Sequence, residues 1–453
     1  MTTHERPLLA DHWECFEGIV PSVVVTAARD GTPNVSYISH VFYIDEDHVA
    51  LSNQFMSKMV RNVRENPRLQ VVVVNAVTGV QLILDLVFER AETSGPLFDT
   101  LATLVTAVAT HHGMDHVMRL RSADIYRVLE VEVQSCEPGV QDAPVTRVAR
   151  AGTLGAAVPI CLALSRMDDL DRAIDLVLDG LVTRLGISHC MLFLADPDTR
   201  ALTAIASRGY NRQGAGAEVR WGEGVIGLAA KRAQTLRFSC VGRNFLYIHN
   251  VKTTGHLGPD ASHDVPMPGL EAPQSLLAVP MIAGGDVRGM IYAESEDRLA
   301  FTPVDEQAVN LIAAQLAALV AFVESSRELG VARAGTSVSA MTAGDNSREV
   351  LIQHFAYDDS LFIDHDYVIK GVPGRLLWRM LQTFAQEGRT EFTNREFRLD
   401  TTLRLPEFKD NLESRLLLLS RRLAESDWPV RILRTGRGRV LLQVDGRLAL
   451  QQR

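Results

Sequence analysis

The sequence predicts a multidomain α+β protein, and three observations carry that expectation. The chain has 453 residues, about three times an ordinary domain. Its pattern changes along the way: short β-branched strands with Asp-Gly and Asn-Pro turns come first, mixed helices and strands follow, and helices closed by a hairpin end it. Two stretches of turn-forming or small residues, Glu137 to Gly155 and Val331 to Arg348, separate these parts. The expected organisation is an antiparallel barrel over 10–137, a linker over 138–164, an α/β unit over 165–325, a linker and bridging segment over 326–365, and a helical unit with a hairpin over 366–453.

Composition narrows the function classes. With 46% hydrophobic and 22% charged residues the chain has globular proportions. Apolar runs such as Val71 to Val74 are too short to span a bilayer, and Glu5, Asp11, Glu14 and Glu17 do not fit a secretory signal. Five cysteines without CxxC spacing argue for a reducing compartment and against a disulfide framework or a cysteine zinc site. A cytoplasmic protein with no membrane partner is therefore expected. Net charge is −9, but Tyr367 to Arg453 holds 17 Lys and Arg against 10 Asp and Glu, so a basic end follows an acidic body. That asymmetry predicts an anionic partner for the end.

In the first part, Pro21 to Ala28, Asn34 to Ile44, His48 to Asn53, Leu69 to Asn75 and Gln81 to Arg90 read as strands, and Leu120 to Val133 as the last. A helix from Ser57 is stopped at Asn66-Pro67. Ser57, Lys58 and the free N–H groups of a helix start make an anion site, with Arg61 one turn on. The bland alternative is a solvated helix face. The phrase LSNQFMSKMVRNVRENPRLQVVV, Leu51 to Val73, resembles the pyridoxamine-phosphate-oxidase-like split barrel. The resemblance implies FMN, with phosphate contacts at Ser57 and Lys58, further contacts at Asn53, Arg61 and Gln81, and a homodimer. Two departures, Lys58-Met59 in place of two basic residues and no Trp/Arg segment after Tyr126, set pyridoxamine-phosphate oxidation aside. His112 and His116 stand at i, i+4 in a helical insertion, without the carboxylate or cysteine that would complete a metal shell.

The second part begins with a helix over Asp168 to Leu185 and strands over His189 to Ala195 and Ala201 to Ser207. VRWGEGVIGLAAKR, Val219 to Arg232, places a Gly-rich turn before a short helix, and SLLAVP and RGMIYAE form a hairpin about Gly284-Gly285. A helix from Thr302 to Glu324 closes the unit with a broad apolar face suited to pairing with its copy. That order resembles a GAF domain, which implies a small-molecule ligand whose identity stays open. Arg237 to Pro273 is the long segment that covers the pocket in that family.

The third part shows helices over Gly374 to Glu387 and Glu407 to Glu425, a capping-box spacing at Thr393 and Glu396, and a hairpin about TGRGRV. Three helices and a hairpin resemble a winged helix of the response-regulator effector type. The resemblance implies DNA contacts by Lys409, Arg415, Arg421 and Arg422 on the third helix and Arg434, Arg437 and Arg439 at the wing. Winged helices also serve as protein-interaction modules. Nothing in the chain assembles a catalytic constellation. The expected function is a one-component transcriptional regulator, with an FMN-dependent oxidoreductase carrying regulatory domains, or an interaction scaffold, as the alternatives.

Overall fold

A computed structural model describes residues 6–38, 40–54, 58–111, 119–134, 153–196, 199–212, 214–239, 265–325, 349–403, 405, 412–436 and 438–453. The N-terminal unit is one curled antiparallel sheet of seven strands: β1 (Ser22–Ala27), β2 (Pro33–Ile38), β3 (Val41–Tyr43), β4 (His48–Asn53), β5 (Arg68–Val74), β6 (Gln81–Glu92) and β7 (Ser122–Gln134). Their order is β2-β1-β5-β6-β7-β4-β3. Alternation sends Val24, Val71, Val73, Leu82, Leu84 and Leu86 inward, which is the period-2 pattern that fixes register. Helix α1 (Lys58–Glu65) covers one end of the sheet, and α2 (Pro96–His111) packs outside it. The expected strand over Asn34 to Ile44 is two strands, β2 and β3.

The central unit has a six-stranded antiparallel sheet ordered β10-β9-β8-β13-β12-β11. Its strands are β8 (His189–Asp196), β9 (Ala201–Arg208), β10 (Glu218–Arg220), β11 (Leu236–Phe238), β12 (Ser275–Ala283) and β13 (Asp286–Ser295). One face carries α3 (Thr153–Leu164), α4 (Leu170–Thr183) and α6 (Pro303–Ser325); the other carries α5 (Gly224–Arg232). Asp169 caps α4 by accepting from the Asp171 and Arg172 N–H groups. Gly227 is required by close approach, since a Cβ there would lie 2.1 Å from the Arg220 carbonyl oxygen. Gly284 and Gly285 have φ of +63° and +84°, the left-handed pair that the hairpin needs.

Two boundaries differ from expectation. The 138–164 linker ends in α3, whose Ala157, Ile160 and Leu164 are buried in the core. Gly155 belongs to the turn-forming stretch, and Pro159 inside α3 is tolerated because tertiary packing outweighs one lost helix bond. Residues 349–369, expected mainly as a bridge, form β14 (Glu349–Phe355), β15 (Ser360–Ile363) and β16 (Asp366–Ile369), with β14 paired in parallel to the last strand, β20 (Arg447–Gln452). The bridge therefore belongs to the C-terminal unit. That unit continues with α7 (Gly371–Glu387), β17 (Glu391–Thr393), α8 (Asn394–Leu399), α9 (Leu412–Ala424), β18 (Val430–Gly436) and β19 (Arg439–Val444). The capping box at Thr393 and Glu396 is formed.

Helix α6 corrects the reading of apolar runs. Over Pro303–Glu324 it is long and apolar enough, by length and composition, to cross a membrane, yet half of that span is buried within the chain, as in a core helix.

Charged groups tie the units together. Arg237 on β11 lies between Glu17 of the N-terminal unit at 2.9 Å and Glu306 of α6 at 2.8 Å, with its guanidinium over the Trp13 ring. Burial opposes the Arg237 charge, but the two carboxylates outweigh it and hold its pKa above the ordinary value. Beside it, His40 is partly buried and its pKa falls to about 4, through desolvation first and repulsion from Arg237 second. At the other boundary, Arg421 donates to Asp171 at 2.8 Å and Glu425 accepts from the Ala215 N–H at 2.7 Å. Apolar packing is continuous there, from Leu194, Ile205 and Ala215 to Ile369, Leu416 and Leu419.

Removing Arg237 leaves Glu17 buried without its counter-charge. We expect Arg237→Ala to cost about 3 kcal/mol or more, and Arg237→Met with Glu17→Gln to recover most of that loss in thermal unfolding of the full chain. Equal melting temperatures for the parent and Arg237→Ala would refute the assignment.

Candidate functional site

The residues expected to bind phosphate stand about the junction of β4 and α1. Lys58 and Arg61 are exposed on α1, and Asn53 ends β4 five residues before it. Ser57 lies outside the described residues. The Asn53 side-chain amide donates to Ser122 at 3.1 Å, and Ser122 donates to Asp124 at 2.6 Å. Burial pushes the Asp124 carboxyl up, against the Ser122 bond and the positive charge of Arg64. The Asn53 Oδ1 atom is buried with no partner among the described residues, an acceptor that suits a ligand N–H donor. Gln81 is elsewhere. It pairs with Gln134 at the end of β7, whereas Asn53 pairs with Ser122 at its start. Twelve residues of β7, a contour of roughly 40 Å at about 3.3 Å each, run between the two pairings, so Asn53 and Gln81 stand at opposite ends of that strand.

In the central unit the sheet face under α5 is filled by its own side chains. Met191, Phe193, Met290 and Tyr292 pack with Val225 and Ile226. At its rim Glu294 is buried and accepts three hydrogen bonds: from Tyr292 Oη at 2.9 Å, from Tyr210 Oη at 3.3 Å and from the Leu270 N–H at 2.9 Å. Burial raises the Glu294 pKa and the three donors oppose the rise. Burial together with the Glu294 charge raises both tyrosines. Sequence reading missed this group. Its one legible signal is the glutamate closing the apolar run MIYAE. Cys190, also buried, has its thiol pushed up to about 12, which suits packing and not reactivity.

The arginines assigned to DNA lie mostly inside the C-terminal boundary. Arg421 contacts Asp171 and Asp175 of α4, and Arg208 bridges Asp175 and Asp179 on the same face. Arg415 faces Asp196 at 3.5 Å. Arg422 donates to Glu425 at 2.8 Å and to the Val368 carbonyl at 2.9 Å, with Trp428 beneath it. Arg434 pairs with buried Glu413, which also accepts from Asn394 at 2.6 Å. In this arrangement four of the seven expected DNA contacts are engaged by groups of the same chain: α4 and β8 supply the carboxylates for Arg421 and Arg415, and the C-terminal unit itself supplies those for Arg422 and Arg434. Arg439 is exposed on β19; Lys409 and Arg437 lie outside the described residues.

The His112/His116 pair and most of the Arg237 to Pro273 segment also fall outside the described residues. Among those described, no group of three or more His, Cys, Asp or Glu is placed to hold a metal ion.

Family models match two parts of the chain. Residues 10–135 match pyridoxamine 5'-phosphate oxidase, and residues 168–321 match the GAF domain. The chain thus carries a pyridoxamine 5'-phosphate oxidase-like domain followed by a GAF domain. Among solved structures, a GAF domain from a Coxiella burnetii phosphoenolpyruvate-protein phosphotransferase is 22% identical, covering 98% of that chain and 40% of this one, with a TM-score of 0.31. The free methionine-R-sulfoxide reductase of Neisseria meningitidis, solved with its substrate, is 18% identical over 98% of its chain and 42% of this one, TM-score 0.31. An FMN-binding protein from Syntrophomonas wolfei is 14% identical over 86% of its chain and 28% of this one, TM-score 0.25. No curated protein matches the chain.

The Glu294 group of the GAF domain gives a pH-dependent prediction. Because the folded pKa is raised, the folded state holds more protons than the unfolded one above the ordinary glutamate value, so this group's contribution falls as pH rises. Glu294→Gln should therefore gain stability relative to the parent as pH rises above the ordinary glutamate value. Glu294→Ala, which strips three donors of their acceptor, should lose on the order of 3 kcal/mol. Parallel stability–pH curves for the parent and the Gln variant would contradict this.

Proposed function

We propose that the chain is a ligand-responsive regulator in which the oxidase-like barrel and the GAF domain hold a C-terminal output unit docked. One observation carries the reading: cations on α9 that would meet DNA phosphate meet carboxylates of the GAF domain, Arg421 on Asp171 and Asp175 and Arg415 on Asp196. The order α7, α8, α9 and a β18/β19 hairpin, with β17 completing a three-stranded sheet, supports a winged helix. Undocked, its basic face is suited to an operator, and coupling arises because docked and free states differ in what their arginines contact.

Charge reversal on α4 tests this. Asp171→Lys with Asp175→Lys should release the output unit and tighten salt-dependent DNA binding about tenfold or more, the usual scale of such coupling. Identical DNA retention by the parent and the double variant would sink the regulator reading.

The barrel is proposed to take FMN, whose bound isoalloxazine supplies redox chemistry. Lys58 and Arg61 would hold the phosphate and Asn53 Oδ1 would accept from the ring. Gln81 would then come from a second copy. A homodimer also suits the apolar rows left exposed on neighbouring helices, Leu154, Val158 and Leu162 on α3 and Leu311 and Phe322 on α6. Lys58→Ala and Gln81→Ala chains should each lose FMN binding. After refolding them as a mixture, roughly a quarter of the sites should return, since a two-fold dimer then contains one site with both lesions and one with neither. No recovery in the mixture would argue against a shared site.

A further inference from the structure

One end of the GAF sheet holds a cavity of about 290 Å³, at the small end of ligand-site sizes. It lies where four elements meet: Ala195 on β8, Trp221 just after β10, Lys231 in the last turn of α5, and the β12/β13 hairpin with Val287 and Arg288. The Glu294 group stands at the opposite end of the same strands, since β13 places Glu294 on His189 and Gly289 on Leu194 of β8.

Three nitrogens at this cavity lack acceptors. The Trp221 indole N–H and the Arg288 Nε–H are buried with no acceptor among the described residues. Both groups can only donate. The other Arg288 nitrogens are engaged, Nη1 on Glu324 at 3.0 Å and Nη2 on Asp286 at 3.3 Å. Lys231 is exposed and has no carboxylate partner among the described residues. Its side chain passes over Gly222, the residue after Trp221, where a Cβ would lie 3.3 Å from the Lys231 Cδ and 3.7 Å from its Nζ. Buried donors without acceptors are costly, and a ligand that brings acceptors recovers that cost.

We propose that this cavity binds a small organic carboxylate, its oxygens accepting from Trp221 Nε1, Arg288 Nε and Lys231, and its apolar body lying against Ala195, Ala230 and Val287. A cation meets three donors, while the lining carboxylates Asp286 and Glu324 are already on Arg288. A neutral amide offers acceptors to the two buried donors but leaves the Lys231 ammonium without a counter-charge. A phosphate dianion feels twice the repulsion from Asp286 and Glu324 that a carboxylate feels. A carboxylate on Nε leaves both Nη bonds in place. It therefore reinforces the tie between the hairpin and the last turn of α6, where Glu324 stands. The site rests on these residues and not on the regulator reading above.

The test follows the indole N–H signals of the four tryptophans by NMR in the isotope-labelled full chain, with Trp221 assigned from Trp221→Phe. Benzoate and hexanoate are titrated at constant ionic strength against benzamide, benzylamine and inorganic phosphate. At least one carboxylate should move the Trp221 signal saturably, and should bind about tenfold or more tightly than benzamide or phosphate, the scale of one charge-assisted contact. Benzylamine should leave the signal in place. Arg288→Lys, which keeps the charge and removes the Nε–H, should weaken binding about tenfold. Lys231→Met, at an exposed position, should do the same and is the variant to read if Arg288→Lys does not fold. No saturable movement by either carboxylate at millimolar concentration overturns the proposal. So does binding of benzamide, phosphate or benzylamine as tight as that of the carboxylates, or parent-like affinity in both variants.

Discussion

The arrangement of the three units depends on arginines that cannot be left alone once buried. Arg237 sits where the barrel meets the GAF domain and is held by one carboxylate from each, Glu17 and Glu306. A buried guanidinium gains little net stability from such pairing, but losing either partner is expensive. The energetic consequence is specificity: the barrel docks where Glu17 reaches Arg237 and not at some other apolar patch. His40, neutral beside that cation, removes a competing charge from the same junction. The acidic face of α4 does the equivalent work at the second boundary. Asp171, Asp175 and Asp179 lie one turn apart; Arg421 takes the first two and Arg208 the last two, so they share Asp175.

Much of the fold was legible because local chemistry and tertiary demand agree. The Gly284-Gly285 hairpin, the Thr393 capping box and the close approach at Gly227 each have one physical solution, and the sequence carries the residue it needs. What was not legible is what depends on partners far away in the chain. The strand β14 exists because β20, nearly a hundred residues on, pairs with it. No local pattern announces a parallel partner at that distance. Helix α3 contains Gly155 and Pro159 and becomes a helix by lying in the GAF core. The site residues divide the same way. Lys58 and Asn53 are five residues apart in the chain, at the start of α1 and the end of β4, whereas Gln81 is set apart by the register of β6 on β7. The basic surplus of the C-terminal end was counted correctly, but counting charge does not tell whether it faces water or another domain.

The filled inner face of the GAF sheet shifts attention to its edges. Large side chains from β8 and β13 meet α5 there, and Glu294 is committed to two tyrosines and a backbone N–H. A carboxyl so placed contributes to uniqueness of packing more than to ligand exchange, since any opening would strand several donors at once. Space for a small molecule lies instead at the end of the sheet, where Trp221 and Arg288 line a cavity. That location has a mechanical consequence. A ligand sealed under α5 changes its neighbours only through rearranged packing, whereas a ligand beside Arg288 adjoins the pair that ties the β12/β13 hairpin to the last turn of α6.

On the proposed regulator reading, the magnitudes favour a graded response over a tight latch. Partly exposed ion pairs such as Arg421 with Asp171 contribute less than about 1 kcal/mol each, so docking rests chiefly on the apolar contact around Leu416 and Leu419, with charge fixing its register. Moving a two-state balance from 1:99 to 99:1 needs roughly 5.5 kcal/mol of differential binding. That is more than one small ligand supplies through two charge-assisted contacts worth about 1.5–3 kcal/mol each, after its own immobilisation and desolvation costs. On the proposed regulator reading, one small ligand therefore biases docking but does not reverse it alone. Full release would require a second contribution acting on the same equilibrium, and the Glu17–Arg237–Glu306 junction joins the barrel to β11 and α6 of the GAF domain. Two modest inputs converging on one docking equilibrium would account physically for two small-molecule-type domains in front of a single basic end.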